Sequence, residues 1–143
     1  FKTTREIVDE RESSLFIDDY KGKGEKILVV DDEDTQRKVA CEILTVLGYN
    51  AHAVSSGEKA VEYLKKHKVD LIILDMIMPE LSGKKTYKLI RKINPEVKVL
   101  LSSGYSRNGQ LQELMEEGLK GFLQKPYNLN EILVKVRNVL DEH

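Results

Sequence analysis

Five polar residues of types suited to phosphoryl transfer stand at the ends of apolar stretches of the sequence: Asp31, Asp32, Asp75, Ser103 and Lys125. Three carboxylates brought close together either take up protons or bind a cation. Oxygen ligands in an open site suit Mg²⁺, which often shares substrate phosphate. A hydroxyl group and a lysine ammonium can hold phosphoryl oxygens. If the fold gathers these residues, Asp75 is the expected nucleophile, because it stands alone after its strand, and Asp31 and Asp32 serve the metal.

Each of these residues taken alone has an ordinary structural explanation. An Asp-Asp pair after a strand commonly caps a helix, and Asp75 can simply begin a surface loop. Ser103 can start a turn, and Lys125-Pro126 can end a strand. Matched chemistry at four of five predicted strand ends favours the functional interpretation, because unrelated loop residues would not share one chemistry.

A regular alternation of strands and helices from Glu25 onward would position these residues. The predicted strands are 27–30, 50–54, 70–75, 97–101 and 121–124, and each is followed by a helix, the last two over about 110–117 and 129–140. Right-handed crossovers then give a parallel sheet with helices on both faces. The predicted fold class is α/β, a flavodoxin-like (βα)5 doubly wound sheet of strand order 2-1-3-4-5, whose crevice lies beyond strands one, three and four.

Local signals predict the limits and faces of the first helices. Asp34 or Thr35 is expected to cap the first helix, and Gly48 to end it. Ser55 or Ser56 is expected to cap the second. The apolar face predicted for the first helix consists of Val39, Ile43, Val46 and Leu47.

Length and composition indicate one globular domain of 143 residues with a net charge of −1. This charge balance gives no electrostatic reason to expect nucleic acid or a membrane surface as a partner. The one cysteine, Cys41, excludes an internal disulfide and fits a reducing compartment. Residues 1–24 mix charges of both signs and end in Lys21-Gly22-Lys23-Gly24, which predicts a linker or N-terminal extension before a domain over 25–143. The absence of a bilayer-length apolar run or signal peptide predicts a cytoplasmic location, and the first residue, Phe1, suggests an excised piece of a longer protein.

From Lys26 to its end the sequence closely resembles the receiver domains of two-component response regulators. The matching motifs are Val29-Val30-Asp31-Asp32-Glu33, Leu74-Asp75-Met76-Ile77-Met78-Pro79 with Gly83 after it, Leu101-Ser102-Ser103-Gly104, and Phe122-Leu123-Gln124-Lys125-Pro126. The resemblance implies that Asp75 accepts a phosphoryl group from a histidine kinase or phosphotransfer domain. It also implies that Asp32, Asp75 and the main-chain carbonyl of Ile77 bind Mg²⁺ directly, with Asp31 acting through water.

The resemblance further implies a switch. Ser103 would be the switch hydroxyl, rather than Ser102, because its spacing to Lys125 matches the family and a small glycine then follows it. Phe122 would be the switch aromatic, Lys125 would hold a phosphoryl oxygen, and the Lys125-Pro126 peptide bond would be cis. Phosphorylation would reshape the surface of the fourth helix, fifth strand and fifth helix, through which a weak homodimer is also expected.

The origin of the domain is predicted from the same motifs. The leading linker and the segments 101–106 and 121–127 look like receivers attached behind the catalytic part of hybrid sensor histidine kinases. The alternative is a free-standing regulator. A hybrid kinase would place the domain in the cytoplasmic part of a membrane-bound enzyme, although the domain alone is a phosphoacceptor switch.

Three other functions fit parts of the pattern. A phosphatase of the haloacid dehalogenase type also uses an aspartate nucleophile with Mg²⁺, but it needs a second aspartate two residues later, where this chain has Ile77. A flavin carrier of the same fold would bind the flavin phosphate after the first strand, where residues 31–34 would repel it. A non-phosphorylated pseudo-receiver scaffold would not need the intact acidic set.

Ile77 also predicts slow self-dephosphorylation. The residue two positions after the nucleophile is often polar in the family and helps to orient the hydrolytic water, which an isoleucine side chain cannot do. We expect Ile77→Asn to accelerate decay of the acyl phosphate, measured as loss of the phosphorylated species with time. A rapid decay that this substitution leaves unchanged would contradict the prediction.

Overall fold

Five parallel strands and four helices account for most of the described chain. The computed structural model describes residues 22–76, 83–103, 116, 119–125 and 127–142. The elements are β1 (Lys26–Val30), α1 (Asp34–Val46), β2 (Asn50–Val54), α2 (Gly57–Lys66), β3 (Leu71–Asp75), α3 (Gly83–Ile93), β4 (Lys98–Ser103), β5 (Gly121–Gln124) and the C-terminal helix (Leu129–Asp141). The helix predicted over 110–117 lies outside the described residues, except that Glu116 is helical.

The strand order is β2-β1-β3-β4-β5 with every pair parallel, which confirms the predicted doubly wound sheet. The register sets Val30 beside Leu74, and Leu74 beside Leu101. Because these strands end together, the residues that follow them lie at one edge of the sheet. Asp75 is aligned with Ser102 at this edge.

Hydrophobic clusters cover both faces of the sheet, and this explains why β3 has no polar alternation. One cluster joins the sheet to α2 and α3 through residues such as Leu64 and Ile90. The other joins it to α1 and the C-terminal helix through Leu44 and Ile132. All five residues of β3 are buried, Asp75 among them.

The buried face of α1 agrees with the prediction in part. Leu47 is buried and Ile43 packs against the same hydrophobic cluster, as predicted. Ala40 and Leu44 are also buried, whereas Val46 is 73% exposed and Val39 is exposed as well. Both sets have helical spacing, so periodicity alone could not choose between two neighbouring stripes. Contact with the sheet selects the stripe that contains the small Ala40.

Capping follows the prediction at α2 but not at the start of α1. Ser56 caps α2 by accepting a hydrogen bond from the Lys59 amide at 3.1 Å. Glu33 is the N-cap of α1, with no side-chain capping bond, and Asp34 is already helical. Gly48 follows α1 with a φ of 95°, a conformation that glycine adopts without strain.

Buried Arg137 links the first strand to the C-terminal helix. Its guanidinium donates to Glu25 at 2.6 Å and to Asp141 at 2.9 Å. Just before Glu25, the Gly22 amide donates to the Leu47 carbonyl at 2.6 Å, and a Cβ at Gly22 would lie 2.6 Å from the ring of Tyr49. Residues 22–25 therefore pack against the domain, while the predicted boundary at residue 24 stays a prediction.

We expect Glu25→Gln to reduce the free energy of unfolding at pH 7 by about 1–3 kcal/mol, because the charge-assisted bond to Arg137 is weakened. Burial raises the pKa of Glu25, but the hydrogen bond and charge of Arg137 act in the opposite direction. The net effect is a folded pKa below 4.5. Glu25 therefore contributes stability fully above its unfolded pKa, and this contribution is lost as pH falls through the folded value.

Denaturant unfolding, measured from neutral pH down to a pH below the folded pKa of Glu25, tests the Glu25 prediction. The difference between wild type and Glu25→Gln should narrow at acidic pH. Glu42→Gln, a change at an exposed position of α1, is the matched control and should have little effect at any pH. A deficit of constant size from neutral to acidic pH would show that the ion pair is not its cause.

Candidate functional site

Three carboxylates converge where β1 and β3 end. One oxygen from each of Asp31, Asp32 and Asp75 lies within 4.8 Å of the others. Asp31 is 1% exposed and Asp75 is 5% exposed, whereas Asp32 is exposed to solvent. The parallel register brings them together although Asp75 is far from the other two in sequence. Such a cluster is an open acidic site with two buried members.

Lys125 places an ammonium group between the two buried carboxylates. Its Nζ lies 2.7 Å from Asp31 Oδ2 and 3.5 Å from Asp75 Oδ1. Burial lowers the pKa of Lys125, but its hydrogen bond to Asp31 and the charges of Asp75 and Asp31 raise it above the usual value. The lysine is therefore held in its charged form and offsets part of the negative charge of the cluster.

Both carboxylate oxygens of Asp31 already accept hydrogen bonds. Oδ1 accepts from the Glu33 amide at 2.9 Å, and Oδ2 accepts from Lys125. The Asp31 carbonyl accepts from the Arg37 guanidinium at 2.8 Å, which fixes the turn between β1 and α1. Both oxygens of Asp31 are thus held in place by donors from the protein itself.

The carboxylate set fits Mg²⁺. Oxygens bound to one Mg²⁺ at about 2.0–2.1 Å lie at most about 4.2 Å apart, so oxygens within 4.8 Å need only small side-chain rotations to share an ion. Hard oxygen donors with one solvent-exposed member also suit an ion that keeps several waters. The main-chain carbonyl of Ile77, expected as a further ligand, lies outside the described residues.

The predicted switch residues are only partly described. Ser103 is the last residue of β4 and is aligned with Gln124 of β5, but its side chain is outside the described structure. Phe122 is half-buried against the cluster that involves α2 and α3, and its carbonyl accepts from Lys135 Nζ. Pro126, and with it the predicted cis bond, also lies outside the described residues.

One contact near the site was not predicted from the sequence. Ser102 Oγ and the Tyr127 hydroxyl are 2.8 Å apart, and Ser102 is completely buried. Burial raises the pKa of Tyr127, and the hydrogen bond to Ser102 and the charge of Lys125 partly counteract this. A tyrosine two residues after Lys125 was the only sequence signal, and an apolar ring alone would have explained it equally well.

The fold is an α/β doubly wound domain whose acidic cluster lies at the carboxyl edge of the sheet, where proteins of this class bind their ligands. The family model for the response regulator receiver domain matches residues 27–137. The chain therefore belongs to the receiver domain family of two-component signalling.

Similar proteins include whole receivers and parts of sensor kinases. The chemotaxis protein CheY of Thermotoga maritima is 32% identical over 117 residues, covering 81% of this chain and 98% of CheY. The sensor kinase CckA of Brucella abortus is 31% identical over 118 residues, covering 81% of this chain but only 12% of the kinase. The structure of the response regulator TrrA of Thermotoga maritima, in complex with Mg²⁺ and BeF, has a TM-score of 0.73 and 32% identity, covering 80% of this chain and 98% of TrrA.

Among the helices that the structure describes, none combines the length and apolar character needed to cross a membrane.

Proposed function

We propose that Asp75 accepts a phosphoryl group from a phosphohistidine in a Mg²⁺-dependent reaction. The observation that carries the proposal is the position of Lys125 Nζ, 2.7 Å from Asp31 and 3.5 Å from Asp75 within the carboxylate cluster. Three carboxylates against one ammonium leave negative charge that a divalent cation would neutralise. An electrophilic phosphoryl group could then approach Asp75.

In the proposed step an oxygen of the Asp75 carboxylate forms a bond to phosphorus as the bond from phosphorus to the donor imidazole nitrogen breaks. The departing imidazole keeps that electron pair and can take up a proton. Lys125 turns its ammonium toward the transferring oxygens, and Asp31 orients this ammonium through its 2.7 Å contact. When bound, Mg²⁺ supplies further positive charge opposite the phosphoryl oxygens. Asp32 and Asp75 would hold it directly, with Ile77 as the proposed main-chain ligand.

The proposed phosphodonor is a histidine kinase or a histidine phosphotransfer domain. The similarity to a stretch of CckA supports a place within a hybrid sensor kinase, on the cytoplasmic side of the membrane, whereas the similarity to whole CheY supports a free-standing regulator. The chain spans about an eighth of CckA, so the activity of any parent protein is itself part of the proposal.

The proposed output is a shift between two conformations. A phosphoryl group on Asp75 adds charge and three acceptor oxygens, toward which the Ser103 hydroxyl would move and Phe122 would follow. Moving an equilibrium from 1:99 to 99:1 needs about 5.5 kcal/mol. A few charge-assisted hydrogen bonds of about 1.5–3 kcal/mol each can supply this. The surface formed by the helix predicted over 110–117, β5 and the C-terminal helix would change, with weak homodimerisation as one outcome.

Labelling with a small phosphodonor such as acetyl phosphate tests the proposal. We expect incorporation of one phosphoryl group per chain, dependent on Mg²⁺ and located on Asp75 by mass spectrometry. Sustained turnover of a small phosphoester would instead favour the phosphatase alternative. A protein that binds Mg²⁺ but takes no phosphoryl group from either acetyl phosphate or a histidine kinase would be a pseudo-receiver.

A further inference from the structure

A side-chain hydrogen bond connects the loop after β5 to the end of β4. The Tyr127 hydroxyl lies 2.8 Å from Ser102 Oγ, and either oxygen can be the donor of the hydrogen bond between them. This hydrogen bond is called the bridge below. Ser102 is completely buried, and Tyr127 packs its ring against the hydrophobic cluster of α1 and the C-terminal helix. Because Tyr127 itself is partly exposed, this hydrogen bond is partly, not wholly, shielded from solvent.

Ser102 is the β4 neighbour of the proposed phosphoacceptor. It is aligned with Asp75 across the parallel strands, and its carbonyl accepts from the Met76 amide at 2.9 Å. Neighbours across a parallel pair project from the same face of a sheet. The Tyr127 hydroxyl is thus hydrogen-bonded to the residue that lies beside Asp75 in the sheet.

At its other end the bridge acts on the segment that carries Lys125. Lys125 directly follows β5, and Asn128 caps the C-terminal helix by accepting from the Glu131 amide at 3.1 Å. Only residues 125–127 lie between the strand and this cap. Fixing Tyr127 to β4 therefore limits where the Lys125 backbone can lie, and with it the reach of Nζ toward Asp31 and Asp75.

We propose that Tyr127 is a positioning residue whose hydroxyl, through its hydrogen bond with buried Ser102, fixes the segment carrying Lys125 so that the ammonium stays between Asp31 and Asp75. This inference rests on the proposed phosphoacceptor function. The aromatic ring packs against the hydrophobic cluster, as a phenylalanine ring would. The hydroxyl, in contrast, fixes the position of the loop relative to β4.

The test compares Tyr127→Phe, Ser102→Ala and the double variant with wild type. Each removes the bridge, so each should lower the rate constant for labelling by acetyl phosphate at saturating Mg²⁺ by about 5- to 10-fold, the factor that corresponds to the loss of one hydrogen bond. The double variant should be no slower than the slower single variant, because both changes break one interaction. Asp31, Asp32 and Asp75 are retained, so these variants should bind Mg²⁺ no more weakly than wild type, and lost metal binding cannot explain slower labelling.

Tyr63→Phe is the matched control. This tyrosine lies on α2, stacked between His52 and His67, away from the carboxyl edge of the sheet. Removing the Tyr63 hydroxyl should leave the labelling rate at the wild-type value. Thermal unfolding of every variant shows whether the protein is folded at the temperature of the rate measurement.

A second readout does not depend on phosphoryl transfer. The Cε chemical shift of Lys125, measured at one neutral pH in protein labelled with ¹³C-lysine, reports the surroundings of its ammonium, which contacts Asp31 at 2.7 Å and Asp75 at 3.5 Å in the wild type. This chemical shift should change in Tyr127→Phe and in Ser102→Ala but not in Tyr63→Phe.

These readouts separate the two proposals. Folded Tyr127→Phe protein with wild-type labelling and an unchanged Lys125 signal would show that the hydroxyl has only a structural role, and would overturn the inference. If wild-type protein takes up no phosphoryl group, the phosphoacceptor function fails, and the Cε chemical shift of Lys125 alone then decides whether Tyr127 positions the lysine.

Discussion

Replacing Asp75 by asparagine is expected to abolish phosphoryl uptake, with a loss of at least about a thousandfold, because a neutral amide oxygen is not a nucleophile. Asparagine has nearly the same shape as aspartate, so the buried end of β3 should stay packed. One of three mutually repelling carboxylates is removed, and Lys125 keeps its 2.7 Å contact with Asp31. We therefore expect the free energy of unfolding without metal to be unchanged or higher than in wild type.

Asp70→Asn is the matched control for this substitution. Asp70 precedes β3 at the opposite edge of the sheet and accepts a hydrogen bond from the Lys26 amide at 2.8 Å, which an asparagine oxygen can also accept. Its labelling by acetyl phosphate or a histidine kinase should equal that of wild type. Continued labelling of folded Asp75→Asn protein at the wild-type rate would refute the assignment of the phosphoacceptor.

Lys125→Met is expected to have the largest effect on stability. Removing one partner of a buried ion pair leaves uncompensated charge, and the two buried carboxylates would then lack the ammonium between them. We expect the free energy of unfolding at neutral pH without metal to fall by on the order of 3 kcal/mol. Methionine retains most of the length and apolar packing of the lysine stem, so the loss reports the charge.

Mg²⁺ should restore much of this stability. A cation that binds only the folded protein stabilises it by mass action. The gain should be greater in Lys125→Met than in wild type, because the competing ammonium is absent. Phosphoryl uptake should nevertheless fall by about 10²–10³-fold even at saturating Mg²⁺, since one donor to the developing charge is lost.

Denaturant unfolding with and without Mg²⁺, together with labelling rates, checks the Lys125 prediction. Lys120→Met is the control, because Lys120 makes a surface pair with Glu142 at 3.3 Å and such pairs contribute little stability. Equal stability of wild type and Lys125→Met in the absence of metal would show that the buried carboxylates do not need the lysine charge.

The polar residues at the strand ends were predictable from the sequence because of where their apolar runs stop. A buried parallel strand such as β3 can carry a charge only as it leaves the core, so Asp75 marks its end. The same reasoning placed Asp31 and Lys125 at the carboxyl edge of the sheet. Right-handed crossovers then left few arrangements other than the observed strand order.

Side-chain contacts between distant segments could not be predicted in the same way. Nothing in the sequence assigns Ser102 to Tyr127, and the aromatic ring alone satisfied the hydrophobic pattern. The prediction for the buried face of α1 was wrong at Val39 and Val46 for a related reason. Val39 and Ala40 lie on adjacent stripes of the same helix, and only contact with the sheet distinguishes them.

The sequence by itself determined the alternation of strands and helices, the parallel sheet and the residues at its carboxyl edge, because hydrophobic periodicity and strand limits are local properties of the chain. The tertiary structure alone decided that Lys125 lies between Asp31 and Asp75 and that the Tyr127 hydroxyl reaches Ser102. Those contacts depend on register and on side-chain direction across segments far apart in sequence. The packing of the whole core fixes both of these, and no single stretch of the chain encodes them.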